Sequence, residues 1–256
     1  MKLEILPQLS CFDRKRGLIL PKETSEDLAE FLGIIFGDGF SNRYKRKGRN
    51  SWDYEFSISG DYRDDVLYHK KHVIPLIKKL FHIMPKHRKI KDQNTICVDI
   101  KSRGIYYFLK DLGFSNPKNN IRIPKWIFGK EEYLIAFIRG FADTDFSLSF
   151  RARKIKCGYP RITTCIRDEE LAKDLIISLK KLNFRINYQL NIIRYDKRGF
   201  TNLINNIDIN GHKNFMQWMK SIGFRNPKHI TKFLVWDKYG FCKPYTSLKD
   251  RIKLIG

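Results

Sequence analysis

The chain contains no run approaching the ~20 apolar residues that a bilayer span requires, and no membrane association is expected of it. Its first residues, Met1-Lys-Leu-Glu-Ile-Leu-Pro7, lack the apolar block of a secretory leader. Cysteine is sparse and unpaired. Five residues (Cys11, Cys97, Cys157, Cys165 and Cys242) occur without a CxxC pair or a Cys/His cluster, which argues against a disulfide framework or a structural zinc site and suits a reducing, intracellular compartment. Acidic residues are outnumbered, 27 Asp+Glu against 50 Lys+Arg, for a net charge of +23. Such an excess opposes compaction by self-repulsion unless a polyanion shares the surface. Nucleic acid is the natural candidate, although a ribosomal protein or a protein at an anionic membrane surface carries the same signature. What the chain has in quantity is apolar side chains, 42% of 256 residues with 19 Phe and 12 Tyr. That supports a substantial core, and the length suits two small domains.

Self-similarity organises the rest. Gly113-Phe-Ser-Asn-Pro-Lys118 recurs 110 residues on as Gly223-Phe-Arg-Asn-Pro-Lys228. Val98-Asp-Ile100 matches Ile207-Asp-Ile209, Lys78-Lys-Leu80 matches Lys180-Lys-Leu182, and Phe31-Leu-Gly-Ile-Ile-Phe-Gly-Asp38 matches Ile138-Arg-Gly-Phe-Ala-Asp-Thr-Asp145. Matches in one order at displacements of 102 to 110 indicate a duplicated unit. The resulting division is an extension over 1–24, a first half over 25–120, a linker over 121–130, a second half over 131–235 and a basic extension over 236–256.

Each half reads as helix, two strands, helix, two strands, helix, an α+β pattern. In the first, a helix over 25–38 is expected to start on a Thr24–Asp27 capping pair. Strands over 40–46 and 53–59 follow, then a helix over 62–81, strands over 87–91 and 95–101, and a helix over 103–112. The second half places strands over 147–155, 160–166, 185–194 and 202–209. Arg43, Lys45, Arg46, Lys47 and Arg49 lie on the first hairpin, and Arg151, Arg153, Lys154, Lys156 and Arg161 on the second. A two-stranded ribbon fits the major groove of DNA, so two basic hairpins at equivalent places form a candidate cradle for it.

Gly33 and Gly37 share one helical face, as do Gly140 and Thr144 in the second copy. Small residues at that spacing let two helix backbones approach closely, which brings the helix C-termini together with an aspartate on each, Asp38 and Asp145. Helix dipoles already leave partial negative charge there, so paired carboxylates imply a cation. Hard oxygen ligands and a phosphodiester partner point to Mg²⁺, two or more ions, with Mn²⁺ or Ca²⁺ able to substitute in binding. Gly37 and Thr144, just before the acids, are included in the candidate metal site, and metal-assisted hydrolysis is the chemistry expected.

The segments Phe31-Leu-Gly-Ile-Ile-Phe-Gly-Asp-Gly39 and Ile138-Arg-Gly-Phe-Ala-Asp-Thr-Asp-Phe146 resemble two copies of the LAGLIDADG motif. From about residue 25 the chain is similar to the monomeric, two-motif LAGLIDADG homing endonucleases. The resemblance implies two pseudo-symmetric αββαββα halves joined through their motif helices, with saddle-shaped antiparallel sheets over a long asymmetric site in double-stranded DNA. It also implies an intron-encoded enzyme that cuts both strands across the minor groove with divalent metal and leaves short 3′ overhangs. Its metal-binding acid falls on Asp38 and Asp145. The sixth motif position, often acidic, is Phe36 in one copy and Asp143 in the other, and Asp143 is read as a structural or capping carboxylate and as the runner-up acid. Gly39 is replaced by Phe146, where a left-handed backbone would cost a side chain roughly 1 kcal/mol. The resemblance further places basic residues near the metals. Lys101 fits one such position, with Asn210 and nearby Lys213 as its counterpart, and Arg167 fits another, where the first half has Gly60 and Asp61. Asp61 is expected to cap the next helix, with an extra acid at the site as the alternative.

A rival reading is an RNA maturase acting on intron RNA, or a non-cleaving nucleic-acid-binding protein of the same fold. An intein endonuclease is disfavoured by a chain that opens at Met1 and closes at Gly256 without flanking splicing blocks. A basic structural RNA-binding protein leaves the symmetric acids unexplained.

Overall fold

Local signals fix where each element begins. The computed structural model describes residues 1–5, 8–48, 50–116, 118–152, 158–195 and 199–256, with backbone only at 151 and 152. A short helix α1 (Cys11–Lys15) starts in a capping box between Ser10 and Asp13. Helix α2 (Glu26–Asp38) is capped by Ser25, whose hydroxyl accepts from the Leu28 amide at 3.1 Å. The Thr24–Asp27 pair does not form. Ser25 is the extended residue immediately before the first turn, and Thr24 instead accepts from the Met1 amino group at 3.2 Å.

Strands β1 (Gly39–Lys45) and β2 (Trp52–Asp61) follow. The helix expected over 62–81 is α3 (Val66–Tyr68), a π-helical turn (His69–Val73) and α4 (Ile74–Phe81). Pro75 has no amide to return to the carbonyl four residues back, which favours the widened turn ahead of it. Next come β3 (Lys86–Lys89), β4 (Thr95–Ile100) and α5 (Arg103–Asp111). A 3₁₀ turn (Lys125–Gly129) leads into α6 (Glu131–Asp145), β5 (Ser147–Ala152), β6 (Gly158–Ile166), α7 (Glu169–Lys181), β7 (Ile186–Tyr195) and β8 (Thr201–Asn210). Helices α8 (His212–Ser221), α9 (Pro227–Tyr239) and α10 (Leu248–Ile255) complete the chain.

Among the described residues there are two four-stranded sheets, ordered β1-β2-β4-β3 and β5-β6-β8-β7, and every strand pairing is antiparallel. The identical order in both is the three-dimensional form of the internal repeat. With the flanking helices this is the two-halved α+β architecture that the sequence pattern implies.

The chain divides into two compact units, Met1–Lys118 with Pro124–Thr144, and Asn119–Ile123 with Asp145–Gly256. In the first, α2 is buried on every side from Leu28 to Phe36, as expected of a helix that is apolar all round. Phe31 meets Phe56 of β2 and Phe81 of α4 edge-on, with ring centroids 5.9 and 5.2 Å apart. In the second unit Phe150 stacks on Trp236 at 5.0 Å and meets Phe215 edge-on. The C-terminal residues belong to this core: Arg251 is buried and donates to Thr231 at 3.0 Å. The segment before α6 is fastened here too, since the amides of Ile121 and Ile123 donate to the carboxylates of Asp168 and Asp174. Among the described residues no helix is long and apolar enough to cross a membrane.

Candidate metal centre and nucleic-acid interface

Helices α2 and α6 touch through their glycines, inside the first unit. A Cβ on Gly33 would stand 2.1 Å from the Phe137 carbonyl oxygen, and one on Gly140 would stand 2.2 Å from that of Glu30. Only glycine permits backbones so close. Phe36 and Phe137 cross the same seam edge-on at 5.4 Å. Next along the two helices, the Gly37 carbonyl accepts from the Lys118 ammonium, and the Thr144 hydroxyl donates to the Phe141 carbonyl of its own helix at 2.8 Å.

Asp38 is the last residue of α2 and Asp145 the last of α6. Gly39, next after Asp38, has φ −77° and ψ 147°, so the left-handed turn anticipated there is absent. Its glycine is needed for space instead, because a Cβ would lie 2.3 Å from the Ile35 carbonyl oxygen. Phe146, at the matching place, is buried and lies 5.7 Å from Trp218 in the second unit. The end of α2 also carries a cation that the motif reading missed: Lys118 donates to the Phe36 carbonyl at 3.0 Å as well as to that of Gly37. An ammonium there satisfies orphan carbonyls and opposes the negative helix end. The available signal was the lysine closing each copy of the Gly-Phe-x-Asn-Pro-Lys repeat.

Behind the helix ends lie buried polar groups. Asp143 is fully buried, and so is the Tyr68 ring, whose hydroxyl has no hydrogen-bond partner among the described residues. Burial first, then the negative fields of Asp143, Glu30, Asp38 and Asp65, push the Tyr68 phenol far above its usual range, so it stays a protonated donor. Glu30 accepts from Arg139 of α6 at 2.7 Å and lies 2.7 Å from His72 Nε2. Burial opposes its ionisation, but the hydrogen bonds and charges of His72 and Arg139 outweigh it and bring the Glu30 carboxyl down to about 2. Asp61 does not cap the next helix, whose N-cap is Asp65; its carboxylate accepts from the Arg63 amide at 2.7 Å in the turn before it.

Strand register decides which residues face outward from the helices. Arg43 lies directly opposite Tyr54, and Lys45 opposite Trp52. Tyr54 packs on Tyr106 and Tyr107 of α5, so this is the helix side, and both cations approach the Trp52 ring, Arg43 at 5.0 Å and Lys45 at 5.5 Å. They reach a ligand on the open face only around the strand edge. Arg46 pairs with Asp53 and Lys47 is exposed at the hairpin turn. On the open face of the first sheet the register puts Lys86 and Arg88 of β3, and Arg88 is held by Asp99. Arg161 occupies the open face of the second sheet. Arg151 is described for its backbone alone, opposite Tyr159, and Arg49, Arg153, Lys154 and Lys156 lie outside the described residues.

Lys101 is not brought beside Asp38. Gly39 is level with Ile58 and Val98, so Lys101 lies roughly 10 Å further out along β4 and two strand spacings across. Arg167 is exposed beyond the end of β6, at the same end of its sheet at which α6 feeds β5.

No family model matches the chain. Among solved structures, I-DmoI in complex with DNA and Ca superposes with a TM-score of 0.54 at 19% identity, covering 77% of this chain and 88% of that one. A variant of I-SmaMI gives 0.54 at 14% identity, over 85% and 91%. The LAGLIDADG homing endonuclease I-GzeII, in complex with its DNA target, gives 0.52 at 11% identity, over 85% and 90%. The fold is that of the LAGLIDADG homing endonucleases. In sequence, 240 residues align at 25% identity with the replication factor C small subunit of Methanocaldococcus jannaschii, spanning 90% of this chain but 11% of that protein.

Within the LAGLIDADG fold, the two departures at the sixth motif position have distinct surroundings. Phe36 fills an aromatic contact between Phe114 and Phe137, whereas Asp143 contributes buried charge facing Tyr68.

Proposed function

We propose that this chain is a metal-dependent, site-specific endonuclease of double-stranded DNA that acts as a monomer. The observation that carries the reading is that two helices joined by a glycine seam both end in aspartate, Asp38 and Asp145. Support comes from the fold, whose relatives include proteins held in complex with DNA and with Ca or Mn, and from the net charge of +23.

Among the described residues no group of three or more His, Cys, Asp or Glu side chains could hold a metal ion. Mg²⁺ needs fewer protein ligands, since one or two carboxylates suffice when waters and substrate phosphates complete its shell. The donor set fits that requirement, with Asp38 and Asp145 as the ligands. A bound divalent ion supplies a water of lowered pKa and countercharge for the attacking and leaving oxygens. The chain's own residues do the rest. The glycine seam holds α2 against α6, Lys118 holds the last turn of α2, and the buried Tyr68 phenol, in the field of Asp38, stays protonated. Arg167 offers a cation for phosphate. Cleavage across the minor groove with short 3′ overhangs completes the reading.

The test is cleavage of a randomised double-stranded library in Mg²⁺ and in chelator. Asp38→Asn and Asp145→Asn are each expected to abolish double-strand cutting while DNA affinity stays within a few-fold of wild type. Full cutting by either variant, or undiminished cutting in chelator, would overturn the assignment.

A further inference from the structure

We propose that the open face of the second sheet reads A·T base pairs in the major groove through the amides of Asn187, Gln189 and Asn206. The inference rests on the DNA-binding reading above and adds what part of the target must contain.

The register places these residues together. Asn187 lies opposite Asp208 and Gln189 opposite Asn206, alternating with Ile207 and Ile209, which are buried against the helices. Asn187, Gln189, Asn206 and Asp208 line one concavity. Among the described residues no hydrogen bond engages the three amides, whereas Asn205 and Asn214 on neighbouring turns of chain are fully occupied by backbone groups.

An Asn or Gln amide offers one donor and one acceptor, matching N7 and the exocyclic amine of adenine, while guanine calls for two donors and is matched by Arg or Lys. Arg161, on the same face, is withdrawn from that role. Its Nε and Nη2 donate to Asp208 at 2.9, 2.6 and 2.7 Å, so the Nε–Nη2 edge is occupied and the side chain is tethered to the sheet. Spacing agrees as well. Residues two apart on a strand are separated by roughly 6.6 Å, close to two base-pair steps of about 3.4 Å, so Asn187 and Gln189 address alternate base pairs.

The experiment is selection of bound sequences from a randomised double-stranded library by the wild-type protein in Ca²⁺, repeated with Asn187→Ala, Gln189→Ala, Asn206→Ala and Asp208→Ala. Wild type is expected to enrich A·T pairs in one half of the recovered site. Each amide variant is expected to lose roughly 5- to 150-fold discrimination at one position. Asp208→Ala releases Arg161 and is expected to introduce a guanine preference in that half. Thermal unfolding of each variant identifies any that fails to fold, and the remaining amide variants carry the same claim. A bound site with no A·T bias in either half, or a bias untouched by the folded amide variants, overturns this proposal alone. Failure to bind any DNA overturns the endonuclease reading and this one with it.

Discussion

Glu30 is one residue through which acid should weaken the first unit. Its carboxyl is held at about 2, below the ordinary 4.5, so its ionised, paired form stabilises the fold at every pH above 4.5. That stabilisation fades as pH falls from 4.5 towards 2, and the shift corresponds to about 3 kcal/mol. Glu30→Gln is expected to cost about 3 kcal/mol at pH 7, because it leaves Arg139, 16% exposed, without its carboxylate. It should also flatten the stability profile below pH 4.5. Urea unfolding of both proteins between pH 3 and pH 7 measures this, and parallel profiles would show that another group governs acid loss. None of this was legible in the sequence. Glu30 is separated from His72 by 42 residues and from Arg139 by 109, and no periodicity announces a contact across three elements. The aspartates were legible, since each terminates a recognisable helix in a repeated pattern.

Among elements, the α2–α6 seam has the least tolerance. Gly33→Ala or Gly140→Ala puts a methyl where a carbonyl oxygen already stands, at 2.1 or 2.2 Å, so the helices must separate. A loss of about 3 kcal/mol or more is expected from overpacking of this kind. Gly129→Ala serves as the control, since nothing lies within 4 Å of its Cβ position, and should change stability by less than about 0.5 kcal/mol. Denaturant midpoints for the three variants decide the matter. The small-residue spacing announced this seam, and Gly33 and Gly140 are where the two backbones meet. Strand faces were harder to read. The basic residues of β1 cluster at its outer end in any register, and only the pairing of Arg43 with Tyr54 reveals that it leans on the helix side. A one-residue slip would have put it on the other face.

For the whole molecule, charge sets the expected behaviour towards DNA. A net +23 predicts that log affinity falls linearly with log salt, with a slope of ~0.9 per phosphate neutralised. Titration of binding between 50 and 300 mM salt should give a slope near 5 or steeper, and a flat response would rule out an electrostatic interface. The sequence carries this directly, because composition needs no register. It also carries the repeat, and the division it suggests falls at the linker over 121–130. The first compact unit, however, continues through Thr144.

The placement of α6 matters for anyone who would exchange halves between relatives. A chimera joined at the linker would pair α2 with a helix it was not fitted to, and a fragment cut there would expose an apolar rod with two glycine notches, a surface prone to recruit a second copy of itself. A fragment ending near residue 120 is accordingly expected to dimerise or aggregate, and one ending at residue 144 to fold as a monomer, a contrast that sedimentation would resolve. The natural junction for recombination lies past the second motif helix. The unit that an engineer would exchange intact is therefore a sheet with its trailing helices rather than a complete copy of the repeat.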